Sequence, residues 1–198
     1  MKEMSLQSVA YNVINSLIRS GEFSDRLELV KTLLSLLYLY DQAPRDFEEI
    51  LREHNICRLR KLFHDNRNIR KANAYLPYED SGIKLLLGAI ESLLPSFMTD
   101  KRDVVNSILS TLTMAILGKH QGLDTEPNEI ASLIAFIAKH IGVESVYDPF
   151  AGIASYATSP EFAGISFEGA ELSIAAADIA NLRLALNGQP MTCLLYTS

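Results

Sequence analysis

Hydrophobic residues recur at helical spacing through most of the first 120 positions. Leu6, Val9, Tyr11, Val13, Ile14, Leu17 and Ile18 form the first such run, and Gly21 is placed to stop it. Ser24 or Asp25 can cap a second helix, with Glu28 three residues after Asp25 in the spacing of a capping box. Its Leu27, Val30, Leu33, Leu34, Leu37 and Tyr38 lie on more than one face, which predicts a buried helix. Pro44 closes the connection, and Asp46 with Glu49 is expected to cap a short third helix around Phe47, Ile50 and Leu51. Residues 54–79 are less regular, with Asn, Asp and Pro77 scattered through them. Helical spacing returns over 83–94 and 104–117, with breakers at Pro95 and Gly118. There is no internal repeat.

The pattern changes near residue 120. Pro127 stands near the first turn of a helix over 129–140, which Gly142 ends. Residues 145–148 read as a short strand stopped by Pro149, and the small-residue loop 151–155 leads into a short helix. Residues 165–171 alternate as a second strand, and Ser173 caps an alanine-rich helix that runs to Asn187 and Gly188. Helix, strand, glycine loop, helix, strand, helix opens a mostly parallel α/β sheet. The expected organisation is a helical N-terminal domain over 1–119 and the first half of an α/β nucleotide-type domain over 120–192.

Composition narrows the function classes. With 198 residues, 48% hydrophobic and 21% charged, the chain is globular in make-up and not wholly disordered. The longest apolar stretch, 33–40, is too short for a bilayer, and no signal-peptide core is seen near the N-terminus. Cys57 and Cys193 cannot build a disulfide framework, so a cytoplasmic protein without a membrane partner is expected. The net charge of −6 argues against a chain that coats nucleic acid along its whole length. Yet Arg52, Arg58, Arg60, Lys61, Arg67, Arg70 and Lys71 fall close together against only Glu53 and Asp65. Arg58, Arg60, Lys61, Arg67, Arg70 and Lys71 are therefore candidate phosphate contacts, the alternative being a solvated surface. Phe63 alone interleaves as a stacking ring. His54, Cys57 and His64 are one ligand short of a zinc site, and no metal is expected.

The chemistry concentrates in Asp148, Pro149, Phe150, Ala151 and Gly152. Open α/β sheets bind ligands beyond the carboxyl ends of their strands, where the loop must let backbone come close. Gly152 and Ala154 permit that. Asp148 can hold a cationic amine by charge-assisted hydrogen bonds. Glu171, nineteen residues after Gly152, can take both hydroxyls of a ribose. A ligand with a ribose at one end and a positive group at the other fits, and S-adenosylmethionine has both. A dinucleotide fits less well, because Asp148 would repel pyrophosphate. A strand-end aspartate that merely caps a turn is the remaining alternative.

Val146 to Gly152, read Val-Tyr-Asp-Pro-Phe-Ala-Gly, resembles the first cofactor motif of the adenine-specific (N-6) DNA methyltransferases, in particular the modification subunit of type I restriction systems. Phe167-Glu-Gly-Ala-Glu171 followed by Leu172 resembles their second motif, and Asn181 to Asn187 the helix after it. Thr125, Glu126 and Pro127 resemble the family's threonine-proline segment, with Glu126 intervening here. Ala154 stands where a second glycine is common, and Ile153 is bulkier than the usual residue. The resemblance covers 120–188 well and 1–119 loosely. It implies a Rossmann-like methyltransferase fold and S-adenosylmethionine as cofactor. Asp148, Pro149, Phe150, Ala151 and Gly152 would line its methionine side, Glu171 would bind the ribose, Leu172 would pack on adenine, and Thr125 and Pro127 would close the pocket. The implied substrate is double-stranded DNA, methylated at adenine N6, with specificity and restriction subunits as partners.

That family holds the flipped base with an Asn-Pro-Pro-aromatic segment, and no Asn-Pro-Pro occurs in this sequence. The sheet is expected to stop after two strands. Residues 193–198 resemble one frame of a transposase mosaic end used in sequencing libraries, so they are expected to be adapter read-through on a truncated, inactive N-terminal fragment, the alternative being a genuine third strand through Leu194, Leu195 and Tyr196. The other functions open at this point are a non-catalytic interaction module with a vestigial cofactor fold, and an RNA or cytosine-N4 methyltransferase.

Overall fold

The computed structural model describes residues 5–116 and 128–195. The chain divides into two compact units, Met1–Ala115 and Ile116–Ser198, and each is described by itself.

The first unit is built from α1 (Leu6–Arg19), α2 (Arg26–Gln42), α3 (Pro44–Glu53), α4 (Ile56–Asp65), α5 (Arg67–Lys71), α6 (Asp80–Thr99) and α7 (Lys101–Ile116). The Asp25 carboxylate caps α2, accepting from the Leu27 and Glu28 amides at 2.8 and 3.3 Å. Glu28 pairs with Lys31 at 2.8 Å. Every residue of α2 from 29 to 40 is buried, as its all-round apolar pattern predicts. Two polar residues in that stretch find partners: Lys31 reaches the Asn73 carbonyl at 3.4 Å, and Thr32 donates to the Tyr75 carbonyl at 2.9 Å, while the buried Ser35 hydroxyl has none. Helix α6 packs on α1 and α2. Its 20 residues, with a mean hydropathy of 1.2 in the most apolar window, match a bilayer span in length and composition, which the apolar stretch 33–40, broken by Ser35, did not reveal. Half of that window is buried inside the protein, where Ile83, Leu86, Ile90, Leu93 and Phe97 make it a core helix.

Three expectations are refined or corrected in this unit. The less regular residues 54–79 hold two helices, because Asn55 and Asn66 act as N-caps. Asn55 accepts from the Arg58 amide at 3.0 Å, and Asn66 from Asn68 and Ile69 at 3.0 and 3.1 Å, starting α4 and α5. Asp46 and Glu49 do not cap α3; Pro44 begins it, a position that needs no N–H, and both carboxylates hold Arg58 instead. Helix α6 continues through Pro95 to Thr99. Pro95 and Glu91, whose carbonyl loses its helical donor, are both exposed residues, and burial of Phe97 beyond them offsets the roughly 3 kcal/mol that an interior proline costs.

The second unit holds α8 (Asn128–His140), β1 (Ser145–Asp148), two 3-10 turns (Tyr156–Thr158 and Pro160–Phe162), β2 (Ser166–Glu171), α9 (Ile174–Leu186) and β3 (Cys193–Leu195). Gly142, at φ +75°, closes α8 with Gly142 and Val143 amides bonding back to Lys139 and Ala138. The strands form one parallel sheet in the order β1-β2-β3. One expectation changes here. A third strand is present at 193–195, and it satisfies the β2 edge that a two-stranded sheet would leave unpaired. The short helix expected after the β1 loop takes the form of two 3-10 turns. The core joins Ala131, Ala135 and Ala138 of α8 to Tyr156, Phe162, Phe167, Ala177, Ala180 and Leu184. Small alanines let α8 approach the turns closely, while its Ile130, Leu133, Phe136 and Ile137 remain exposed.

Candidate functional site

The carboxyl ends of β1 and β2 lie side by side. Asp148 is in register with Gly169, which sets Glu171 about 6.6 Å of strand rise farther along. The Asp148 carboxylate accepts the Phe150 amide at 2.8 Å and the Tyr156 hydroxyl at 2.6 Å. Glu171 accepts the Gly152 amide through Oε2 at 2.9 Å and the Ser173 amide through Oε1 at 2.7 Å. The loop between the strands is thus suspended from two carboxylates, each holding one of its amides by a charge-assisted bond. Glu171 also ties that loop to the start of α9.

The loop itself turns tightly. Gly152 and Ala154 have φ of +53° and +54°, and the Ala154 amide bonds to the Ala151 carbonyl at 2.8 Å. Left-handed backbone costs an alanine about 1 kcal/mol, so residue 154 sits where a glycine would be favoured. From beneath, the buried Arg183 of α9 donates to the Ile153 carbonyl at 3.3 Å and to Ser155 Oγ at 3.0 Å. The Ala151 amide bonds to the Ala170 carbonyl at 3.0 Å, which draws Ala151 across β2 directly over Gly169. A Cβ at 169 would lie 2.7 Å from the Ala151 Cβ and 2.9 Å from the Phe167 ring.

Of the residues singled out in the sequence, Asp148, Ala151, Gly152 and Glu171 come together around this turn. Pro149 is exposed, and Phe150 and Leu172 stand 83% and 73% exposed. Ile153 is buried in the unit and does not obstruct the loop. Thr125 and Pro127 lie outside the described residues. Sequence reasoning missed Tyr156, Gly169 and Arg183. The glycine inside strand 165–171 was the one local signal of close backbone approach; the other two act through contacts that only packing creates.

The basic stretch divides into two groups. Arg58 bonds Glu49 and, at 2.6 Å, Asp46, and these carboxylates, Glu49 first, hold its proton more tightly. Arg60 donates to the Pro77 carbonyl at 2.9 Å, the Tyr78 carbonyl, and Asp80 at 3.0 Å. Lys61, Arg67, Arg70 and Lys71 are exposed. Arg60 and Arg70 border a cavity of about 270 Å³ whose walls include Phe63 and Tyr75, so a second aromatic ring joins the one the sequence offered.

No family model matches the chain, and no curated protein matches it in sequence. A solved structure does match it in fold: the crystal structure of the type I restriction-modification system methyltransferase subunit from Streptococcus thermophilus, with a TM-score of 0.61 and 13% identity. The match covers 98% of this chain and 58% of that subunit, so the chain spans a little over half the neighbour's length. At this identity the likeness is one of fold alone.

Proposed function

We propose that the chain belongs to a DNA adenine-N6 methyltransferase of a restriction-modification system and supplies its S-adenosylmethionine-binding part. The observation that carries this reading is the pair Asp148 and Glu171 at adjacent parallel strand ends, with the loop amides of Phe150 and Gly152 held between them. The donor set suits the cofactor. Asp148 is half-buried and keeps lone pairs beyond the two it uses, enough to accept a methionine ammonium. Each Glu171 oxygen accepts one amide and can accept one ribose hydroxyl besides. Leu172 and Phe150 offer exposed apolar surface, Leu172 for the adenine. Thr125 and Pro127 are assigned to the opposite wall. S-adenosylmethionine, when bound, supplies an electrophilic methyl group. This chain's residues bind and orient it, and the work is alignment. Because the sequence has no Asn-Pro-Pro-aromatic run, the groups that hold the target amine are assigned to another segment of the working enzyme.

Duplex DNA is the proposed substrate, and specificity and restriction subunits are the proposed partners, in the cytoplasm. Within the helical unit the phosphate face reduces to Lys61, Arg67, Arg70 and Lys71, since Arg58 and Arg60 are engaged by the unit's own acceptors. Calorimetric titration with S-adenosylmethionine tests the cofactor assignment. Asp148→Ala and Glu171→Ala are each expected to weaken binding by about 1–3 kcal/mol, the range for lost hydrogen bonds to charged groups. Unchanged affinity in both variants overturns the reading.

A further inference from the structure

Tyr156 is 6% exposed, and its ring is fixed edge-on against Phe162 and Phe167, with centroids 5.7 and 5.8 Å away. Those two rings are themselves 6.4 Å apart in the same core cluster. A phenylalanine would fill this space equally well. The hydroxyl is the ring's only polar atom, and it reaches out of the aromatic cluster to Asp148 Oδ2 at 2.6 Å. The other Asp148 oxygen is held by the Phe150 amide at 2.8 Å. Two bonds on two oxygens fix both torsions of the aspartate. One of the donors sits on the loop that the ligand would approach, and the other on a ring clamped in the core.

We infer that Tyr156 is a positioning residue: it orients the Asp148 carboxylate, and through it governs affinity for the amino-acid end of the cofactor and not for its nucleoside end. The inference rests on the cofactor reading above. Glu171 holds its own amides independently of Tyr156, so the ribose side has a separate support. A tyrosine that merely stabilised the unit would affect both ends alike.

The test compares two probes on the full 198-residue chain by calorimetry. S-adenosylhomocysteine carries the ammonium and carboxylate, whereas 5′-methylthioadenosine has the same nucleoside without them. Tyr156→Phe is expected to weaken S-adenosylhomocysteine about tenfold, the scale of a lost bond to a charged group, with 5′-methylthioadenosine within about twofold of the wild type. In an Asp148→Asn background, adding Tyr156→Phe is expected to change neither affinity further, because the carboxylate it orients is already gone. Equal weakening of both probes assigns Tyr156 to folding alone and overturns the inference. So does unchanged affinity for both in Tyr156→Phe; if Asp148→Asn still weakens S-adenosylhomocysteine, the cofactor reading survives that result. A wild-type chain that binds neither probe overturns the cofactor reading and the role of Tyr156 with it.

Discussion

Gly169→Ala adds a single methyl group where the loop crosses β2. The new Cβ would meet the Ala151 Cβ at 2.7 Å and the Phe167 ring at 2.9 Å, against about 3.5–4.0 Å for an ordinary carbon contact. Neither neighbour is free to yield. The Ala151 Cβ is fixed by backbone whose amide is bonded to the Ala170 carbonyl, and the Phe167 ring is wedged against Tyr156 and Phe162. Overpacking of this kind costs about 1–3 kcal/mol. Alanine returns part of that, about 0.4–1 kcal/mol, by restricting the unfolded chain. The net expectation is a loss of about 1–2 kcal/mol, or about 4–8 °C in melting temperature per kcal/mol for a unit of this size. Thermal melts followed by circular dichroism read the shift. Hydrogen exchange locates it: peptides covering 149–156 and 166–171 are expected to lose protection while those of α2 keep theirs. A variant as stable as the wild type, with that protection intact, would refute the close packing of loop on strand.

Ala154→Gly relieves a left-handed alanine and is expected to stabilise the chain by about 0.5 kcal/mol, after the greater freedom of glycine in the unfolded state is deducted; a lower melting temperature would contradict the strain. Burial, and then the Glu48 carboxylate, holds the Tyr40 phenol above its ordinary value near 10. The folded chain therefore keeps this proton where the unfolded chain releases it. The resulting stability is whole below about pH 10 and lost as pH rises through the folded value, so urea midpoints should fall as pH rises above about 10. Tyr40→Phe should make that fall shallower, and an identical fall in the variant would refute the assignment. On the basic face, Arg70→Ala is expected to reduce the salt dependence of binding to a short duplex by about one unit of slope. Arg58→Ala should leave that slope unchanged and lower the melting temperature instead, because its partners are Asp46 and Glu49.

Periodicity made the elements legible where burial is one-sided or complete: α1, α2 and α9 follow from their apolar positions, and β1 and β2 from alternation between glycine and proline stops. It failed where polar residues do two jobs. Asn55 and Asn66 read as breakers in a list of residue types and prove to be caps, since their side chains accept free amides in the first turn of the helix that follows. Asp46 and Glu49 have capping spacing, but an arginine nine and twelve residues on competes for them. Pro95 stops a helix only when nothing beyond it is buried, and Phe97 is. Spacing was enough to bring Asp148, Gly152 and Glu171 to one turn, because strand ends and loop lengths fix their separation. Tyr156 and Arg183 could not be found so, since their roles depend on bonds to the loop that form only once α9 and the aromatic cluster have packed.

The double amide bond of Glu171 has a consequence for how any hydroxylated ligand would bind. A free glutamate side chain loses about 1.5–2 kcal/mol of rotamer entropy when it is immobilised. Here the Gly152 and Ser173 amides impose that loss when the unit folds, before any ligand arrives. A hydroxyl that bonds this carboxylate meets an acceptor already at rest, and the ordering cost falls on the folding equilibrium instead of the binding one.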